Sequence, residues 1–348
     1  MKSRIILLLV PVLFLNACAQ ATPEGHKSLT VMTHDSFAVS EEVITGFEME
    51  NNATVQFLKA GDTGTALNKA ILSKDNPLAD VFYGVDNTFL SRALDEGIFQ
   101  SYNAPTLARV PDEYKLDPSN RALPVDFGDV CLNYDKAFLE ENGIAPPQGL
   151  EDLTRPEYQG LLVVQNPATS SPGLSFLLAT IGHFGEDGYL QYWQDLVAND
   201  VQIVNDWETA YYAEFSGSSG KGPRPIVISY DSSPAFEVIY AETPIEEPPT
   251  AAVVSDNTCF RQIEFVGILT GSGNRDLAEK WIDFMLSPTF QEDMPLQMFV
   301  FPVNPDATLD EAFLEHLELP ALTAFVSPED IAQNREQWLQ DWTETVLR

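Results

Sequence analysis

Four short polar segments carry the side chains best suited to chemistry: His34-Asp35-Ser36, Gly61-Asp62-Thr63-Gly64, Thr169-Ser170-Ser171 and Tyr230-Asp231-Ser232-Ser233. The last two run directly into proline, at Pro172 and Pro234, and proline suits the first turn of a helix. Ser171 reads as an N-cap and Pro172 as the first helical residue. A helix start of this kind leaves backbone N–H groups unpaired beside a hydroxyl, a place that can hold an anion. Ser-Pro caps are also common where nothing binds, so each segment alone says little. Trp207 and Tyr230 would make an aromatic wall, although a single tryptophan is more often core.

Other chemistries lack their patterns. The histidines His26, His34, His183 and His316 show no metal-ligand spacing, and no metal is expected. There is no Gly-x-Ser-x-Gly elbow, and Gly220-Lys221 has neither the earlier glycine nor the following Ser/Thr of a phosphate loop. No GxGxxG follows a strand. Catalysis is not indicated, no cofactor is implied, and an exported hydrolase would need a nucleophile–base pair that is not legible here.

The polar segments sit where strands end. Leu29–Thr33 reads as a buried strand, followed by a helix near Ser40 with Val43, Ile44 and Phe47 on its apolar face. Thr54–Leu58, Asp80–Tyr83, Val125–Tyr134, Leu161–Gln165, Val201–Val204, Ile226–Ser229 and Gln262–Leu269 read as further strands. Helical spacing recurs in Thr65–Ser73, Thr88–Glu96, Pro172–Phe184 and Tyr189–Val197, and again in Leu277–Leu286, Pro288–Met294 and Pro328–Leu347. This alternation predicts an α/β fold with mainly parallel sheets. In such sheets ligands lie beyond the carboxyl ends of strands.

The chain has 348 residues, 44% of them hydrophobic, enough for about two domains with real cores. It carries 52 acidic and 19 basic side chains, a net charge of −33. A surface this acidic repels phosphate backbones, so nucleic acid is excluded as a partner. It keeps the protein soluble and only weakly favours a cationic ligand.

At the N-terminus, Lys2 and Arg4 precede an apolar run from Ile5 to Leu15. That is too short to span a bilayer but right for the core of a signal peptide, here 1–17. Leu15-Asn16-Ala17-Cys18 resembles the lipobox of bacterial lipoproteins, which makes Cys18 the lipidation site and 18–27 a tether. Cleavage after Ala17 or Ala19 without lipid is the alternative. The protein is therefore expected outside the cytoplasm, lipid-anchored to the outer face of the membrane or periplasmic. In that oxidising setting Cys131 and Cys259 form either a disulfide or two buried thiols.

Taken together, the ordered segments resemble the extracellular solute-binding proteins of ABC transporters, and most of all the thiamine-binding branch of the iron/thiamine/spermidine group. The residues that carry the likeness are Val31–Phe37, Ala79–Asn87, Pro124–Gly128, Thr169–Leu174, Ser229–Ala235 and Phe284–Gln291. The resemblance implies a two-lobed periplasmic-binding-protein-like (type 2) fold whose hinge is crossed twice, near Val125–Leu132 and Cys259–Val266. One lobe is then 28–124 with 262–348, and the other 125–261. It also implies that Cys131 and Cys259 lie together on the hinge strands.

The ligand implied is thiamine or thiamine phosphate, the partner an ABC permease, and the binding protein a monomer. Trp207 matches the aromatic that packs on thiamine. Asp62, beside Thr63, matches the acidic loop residue, Ser170-Ser171 the Ser-Thr pair, and Tyr230–Ser233 the Tyr-led loop. His34 and Phe236 stand where the branch has tyrosine, and Asp231 replaces a hydroxyl residue. The same architecture with ferric ion, polyamine or phosphonate as cargo is the alternative. Tyr211-Tyr212 is a ferric-type tyrosine pair, but it falls on the helical segment after Trp207 rather than at Tyr230-Asp231.

Overall fold

The structure is a computed structural model and describes residues 26–218 and 222–348. The signal peptide 1–17, Cys18 and nearly all of the tether lie outside the described residues.

Strands and helices alternate as the apolar runs dictate. The strands are β1 (Lys27–Thr33), β2 (Ala53–Lys59), β3 (Val81–Asp86), β4 (Phe99–Gln100), β5 (Leu123–Asp135), β6 (Leu162–Gln165), β7 (Gln202–Val204), β8 (Ile226–Tyr230), β9 (Thr250–Val253), β10 (Phe260–Leu269) and β11 (Phe301–Pro302). The helices are α1 (Glu41–Asn51), α2 (Thr63–Leu72), α3 (Leu90–Asp95), α4 (Lys136–Glu141), α5 (Ser171–Phe184), α6 (Tyr189–Ala198), α7 (Ser233–Ile239), α8 (Arg275–Met285), α9 (Pro288–Met298), α10 (Glu311–Glu315) and α11 (Pro328–Val346).

All the strands join one mixed sheet, ordered β2-β1-β3-β10-β5-β8-β6-β7. Its two ends are parallel, β2-β1-β3 on one side and β8-β6-β7 on the other. The middle is antiparallel: β10 pairs with β3 and β5, and β5 with β8. The two half-sheets are the cores of the two lobes, and the long strands β5 and β10 are common to both. Runs such as Val81–Asp86 and Ile226–Tyr230 are buried at every position, as strands covered by helices on both faces must be.

The helices that cover the sheet are held by aromatic contacts. Trp193 of α6 is fully buried and meets Phe176 of α5 edge-on, with ring centroids 5.5 Å apart. The C-terminal helix contacts the helices of both half-sheets. Its stripe of Ile331, Trp338 and Trp342 is buried, and Trp342 packs edge-to-face on Trp193 at 5.4 Å. Two turns earlier on the same helix, Arg335 lies over the Phe89 ring beside α3 at 5.4 Å. Through these contacts α11 packs on α6 beside one half-sheet and on α3 beside the other.

Cys131 and Cys259 are joined by a disulfide, with Cα atoms 4.4 Å apart. The bridge continues the β5–β10 ladder, one position beyond the Val130–Phe260 pair, and closes a loop with a sequence separation of 128. Chain-entropy arguments put such a closure at about 5 kcal/mol at most. Reducing the bridge in the folded protein is expected to lower the melting temperature by several degrees, as scanning calorimetry with and without reductant would read. An unchanged melting temperature after verified reduction would contradict a stabilising role.

Candidate functional site

A cleft of about 240 Å³ opens between the half-sheets. It is built from the ends of strands and the starts of helices, where backbone groups are left free and turns bring side chains together. From the first half-sheet come His34, Ser36, Lys59, Asp62 and Thr63; from the second come Ser171, Pro172, Trp207 and Tyr230. The hinge strand β10 supplies Gln262 and Glu264, and the end of α9 supplies Gln297, Met298 and Phe299.

Trp207 lines the cleft and is held by one hydrogen bond and three ring contacts. Its indole N–H donates to Ser229 Oγ at 3.0 Å, and Tyr211 stacks on it at 5.0 Å with an interplanar angle of 12°. Tyr212 and Phe299 close its sides edge-on. Asp62 caps α2 by accepting from Thr63 N at 2.8 Å. Its other carboxylate oxygen accepts from the Trp207 backbone N–H at 3.2 Å, across the cleft. A second cross-cleft bond runs from Gly64 N to Thr169 O at 3.0 Å. Burial pushes the Asp62 carboxyl up to about 6, against the opposing pull of the Ser170 hydroxyl and the Thr63 and Trp207 N–H groups.

His34 sits on the floor. Its Nδ1 pairs with Ser36 Oγ at 2.9 Å, and its Nε2 lies 3.5 Å from Glu264 Oε1. Burial, with Lys59 nearby, lowers its pKa to about 4, so it is a neutral ring at physiological pH. Gly84 makes this place possible. It has φ +106°, and a Cβ there would lie 2.5 Å from His34 Cδ2. Thr63 Oγ1 donates to the same glycine's carbonyl at 3.0 Å.

Four of the expected residues, Ser170, Asp231, Ser232 and Ser233, do not line the cleft. Side chains alternate along β8 and into its turn, so Tyr230 faces the cleft while Asp231 faces a separate cavity of about 140 Å³ with Lys136, Thr250 and His316. Ser232 Oγ donates to the Phe299 carbonyl, and Ser233 Oγ is bonded to Ser229 Oγ at 2.8 Å, so both hold the loop rather than face the cleft. Ser170 lies behind Ser171 and acts on Asp62. Ser170, not Ser171, is the N-cap of α5, which shifts Ser171 and Pro172 each one place into the helix.

Sequence reasoning missed Lys59, Glu208, Tyr212, Gln262, Glu264 and Phe299. Glu264 had a signal: a carboxyl within an otherwise apolar strand must find partners or a proton. Phe299 ends α9 in the left-handed region at φ 63°, which a phenylalanine does not announce. The Tyr211-Tyr212 segment is a short π-helix, Thr209–Glu214. Within it Tyr211 Oη donates to Glu237 Oε1 at 2.6 Å.

A family profile described as bacterial extracellular solute-binding protein matches residues 76–334. The chain is similar to the thiamine-binding periplasmic protein of Salmonella typhimurium, 33% identical over 92% of this chain and 94% of that one. It is similar to the protein of the same name from Brucella suis, 29% identical over 93% and 94%. A solved structure, a periplasmic thiamin binding protein, superposes with a TM-score of 0.79 at 29% identity, over 92% of this chain and 96% of that one. The chain belongs to the bacterial extracellular solute-binding proteins, the family that serves ABC importers, and is not an enzyme.

Asp231 is buried, neither carboxyl oxygen has a partner, and burial with the nearby Asp129 raises its pKa well above the usual range. A raised folded pKa means that the native state gains stability at low pH and loses it as pH rises through that value. Asp231→Asn is therefore expected to raise the melting temperature at pH 8 by more than at pH 5. An equal effect at both pH values would contradict the buried, partnerless acid.

Proposed function

We propose that the protein captures thiamine, or a thiamine phosphate, between its lobes and delivers it to the membrane subunits of an ABC importer. One observation carries the reading: Trp207 and Asp62 line the same cleft from its two sides, tied together by the Trp207 backbone N–H, which donates to Asp62 Oδ2 at 3.2 Å. Thiamine carries a permanent positive charge on an aromatic thiazolium ring. An indole face attracts such a ring by about 0.5–2 kcal/mol, and Asp62 supplies the countercharge. The likeness to thiamine-binding periplasmic proteins supports the same choice.

Lys59, Thr63 and Ser171 at the start of α5 suit the hydroxyl or phosphate end of the ligand, because helix N-termini and an ammonium both favour anions. Tyr230 bounds the cleft from β8, and His34 offers a neutral hydrogen-bonding ring. Ser170, Ser232 and Ser233 act by holding these groups in place. Ferric ion fits less well: Tyr211 is engaged by Glu237, and among the described residues no group of three His, Cys, Asp or Glu side chains is arranged to hold a metal ion.

In this reading the lobes are 28–124 with the segment after 262, and 125–261, with α11 shared between them. The chain acts as a monomer, exported by the signal peptide 1–17 and held to the membrane by lipid on Cys18.

Titration calorimetry tests it. Thiamine is expected to bind with a micromolar or lower dissociation constant, and Trp207→Ala to weaken binding about tenfold or more. No heat at millimolar thiamine would overturn the reading.

A further inference from the structure

Three carboxyl side chains stand abreast at the hinge. Glu264 on β10 is the register partner of Asp86 on β3 and of Asp126 on β5. Residues opposite one another on antiparallel strands present their side chains to the same face, and like charges so placed repel. All three are buried, and Glu264 is 3% exposed. Between two of them lies one phenol: Tyr83 Oη is 2.7 Å from Asp126 Oδ2 and 3.1 Å from Glu264 Oε2. A phenol has one proton to donate. Both contacts are hydrogen bonds only if one of the two carboxyls is itself protonated and donates to the phenol oxygen. Glu264 also lines the cleft, so this proton sits against the ligand.

We propose that Glu264 is the residue through which the cleft senses charge: the Glu264–Tyr83–Asp126 group holds one proton in the unliganded protein and releases it to solvent when a fixed cation is bound. The O–H bond of the carboxylic acid breaks, the proton passes to water or buffer, and the carboxylate left behind faces the cation. This rests on the reading that the ligand is thiamine.

The charged and titratable groups facing Glu264 are known from every side. His34 comes from β1, Tyr83 and Asp86 from β3, Asp126 from β5 and Tyr230 from β8. None of these supplies a positive charge at neutral pH, since His34 titrates only near 4. Lys59, at the end of β2, is the basic side chain that shares the cleft. Burial holds the Asp126–Glu264 pair protonated into the neutral range, with Asp126 pushed up to about 7 and Glu264 raised well above the usual carboxyl range. A cation favours the ionised form, so affinity rises with pH while the proton is being lost and levels off above that range.

The experiment is titration calorimetry with thiamine at pH 7.0 in buffers of different ionisation enthalpy, which counts the protons released. At that pH Asp62, near 6, is already mostly ionised. The wild type is expected to release about half to one proton, and its affinity to rise up to about tenfold per pH unit below pH 7. Glu264→Gln should bring the release close to zero and flatten the pH profile, cancelling any proton carried by the ligand itself. Asp126→Asn is expected to do the same, and serves if the first variant does not fold. Asp62→Asn should bind more weakly yet still release the proton. Binding with no proton release in the wild type, or release unchanged in Glu264→Gln, would overturn this inference and leave the thiamine reading standing. No binding at all would overturn both.

Discussion

The antiparallel pairing of β5 with β10 is the constraint on which the rest of the structure depends. Each strand runs through the middle of the sheet and belongs to both lobes at once, so their register sets the lobes against each other. Gly128 pairs with Gln262, Asp126 with Glu264 and Val130 with Phe260, and the Cys131–Cys259 bridge locks the next position. A slip of one residue would turn Glu264 out of the cleft and its apolar neighbours in.

That register explains why the cleft floor is polar while the sheet around it is not. Burying a carboxyl without a partner is costly, yet Asp86, Asp126 and Glu264 lie side by side in the middle of the molecule. The partners they find are hydroxyls and N–H groups: Asp86 accepts from Thr88 Oγ1 at 2.7 Å, and Tyr83 is shared by the other two. Arg261, the neighbouring cation, is committed elsewhere, pairing through two nitrogens with Asp129 at 2.8 and 2.6 Å. The Arg261 charge is thus spent on Asp129 rather than on these three carboxyls, which suits a site that takes a cation from the ligand.

Much of this was legible because strand ends are punctuated by polar and turn-forming residues. His34, Asp62, Thr63, Ser171, Trp207 and Tyr230 follow apolar runs whose length and β-branched content mark strands, and all six line the cleft. What was not legible follows from side-chain direction. Asp231 adjoins Tyr230 in the chain, but alternation sends it to the opposite face, while Ser232 bonds to Phe299 and Ser233 to Ser229. Glu264 was hidden in an apolar run, and Phe299 enters from a helix end far along the chain. The packing of Trp342 on Trp193 depends on which lobe offers an apolar surface, and no local pattern encodes that.

The central claim is that the cleft selects a fixed positive charge held between Trp207 and Asp62. Its most direct test compares thiamine with an isostere in which the thiazolium nitrogen is replaced by carbon, leaving shape and hydroxyl end intact but removing the charge. Calorimetric titration of the two ligands is expected to show thiamine binding at least about tenfold more tightly. Equal dissociation constants would contradict the claim.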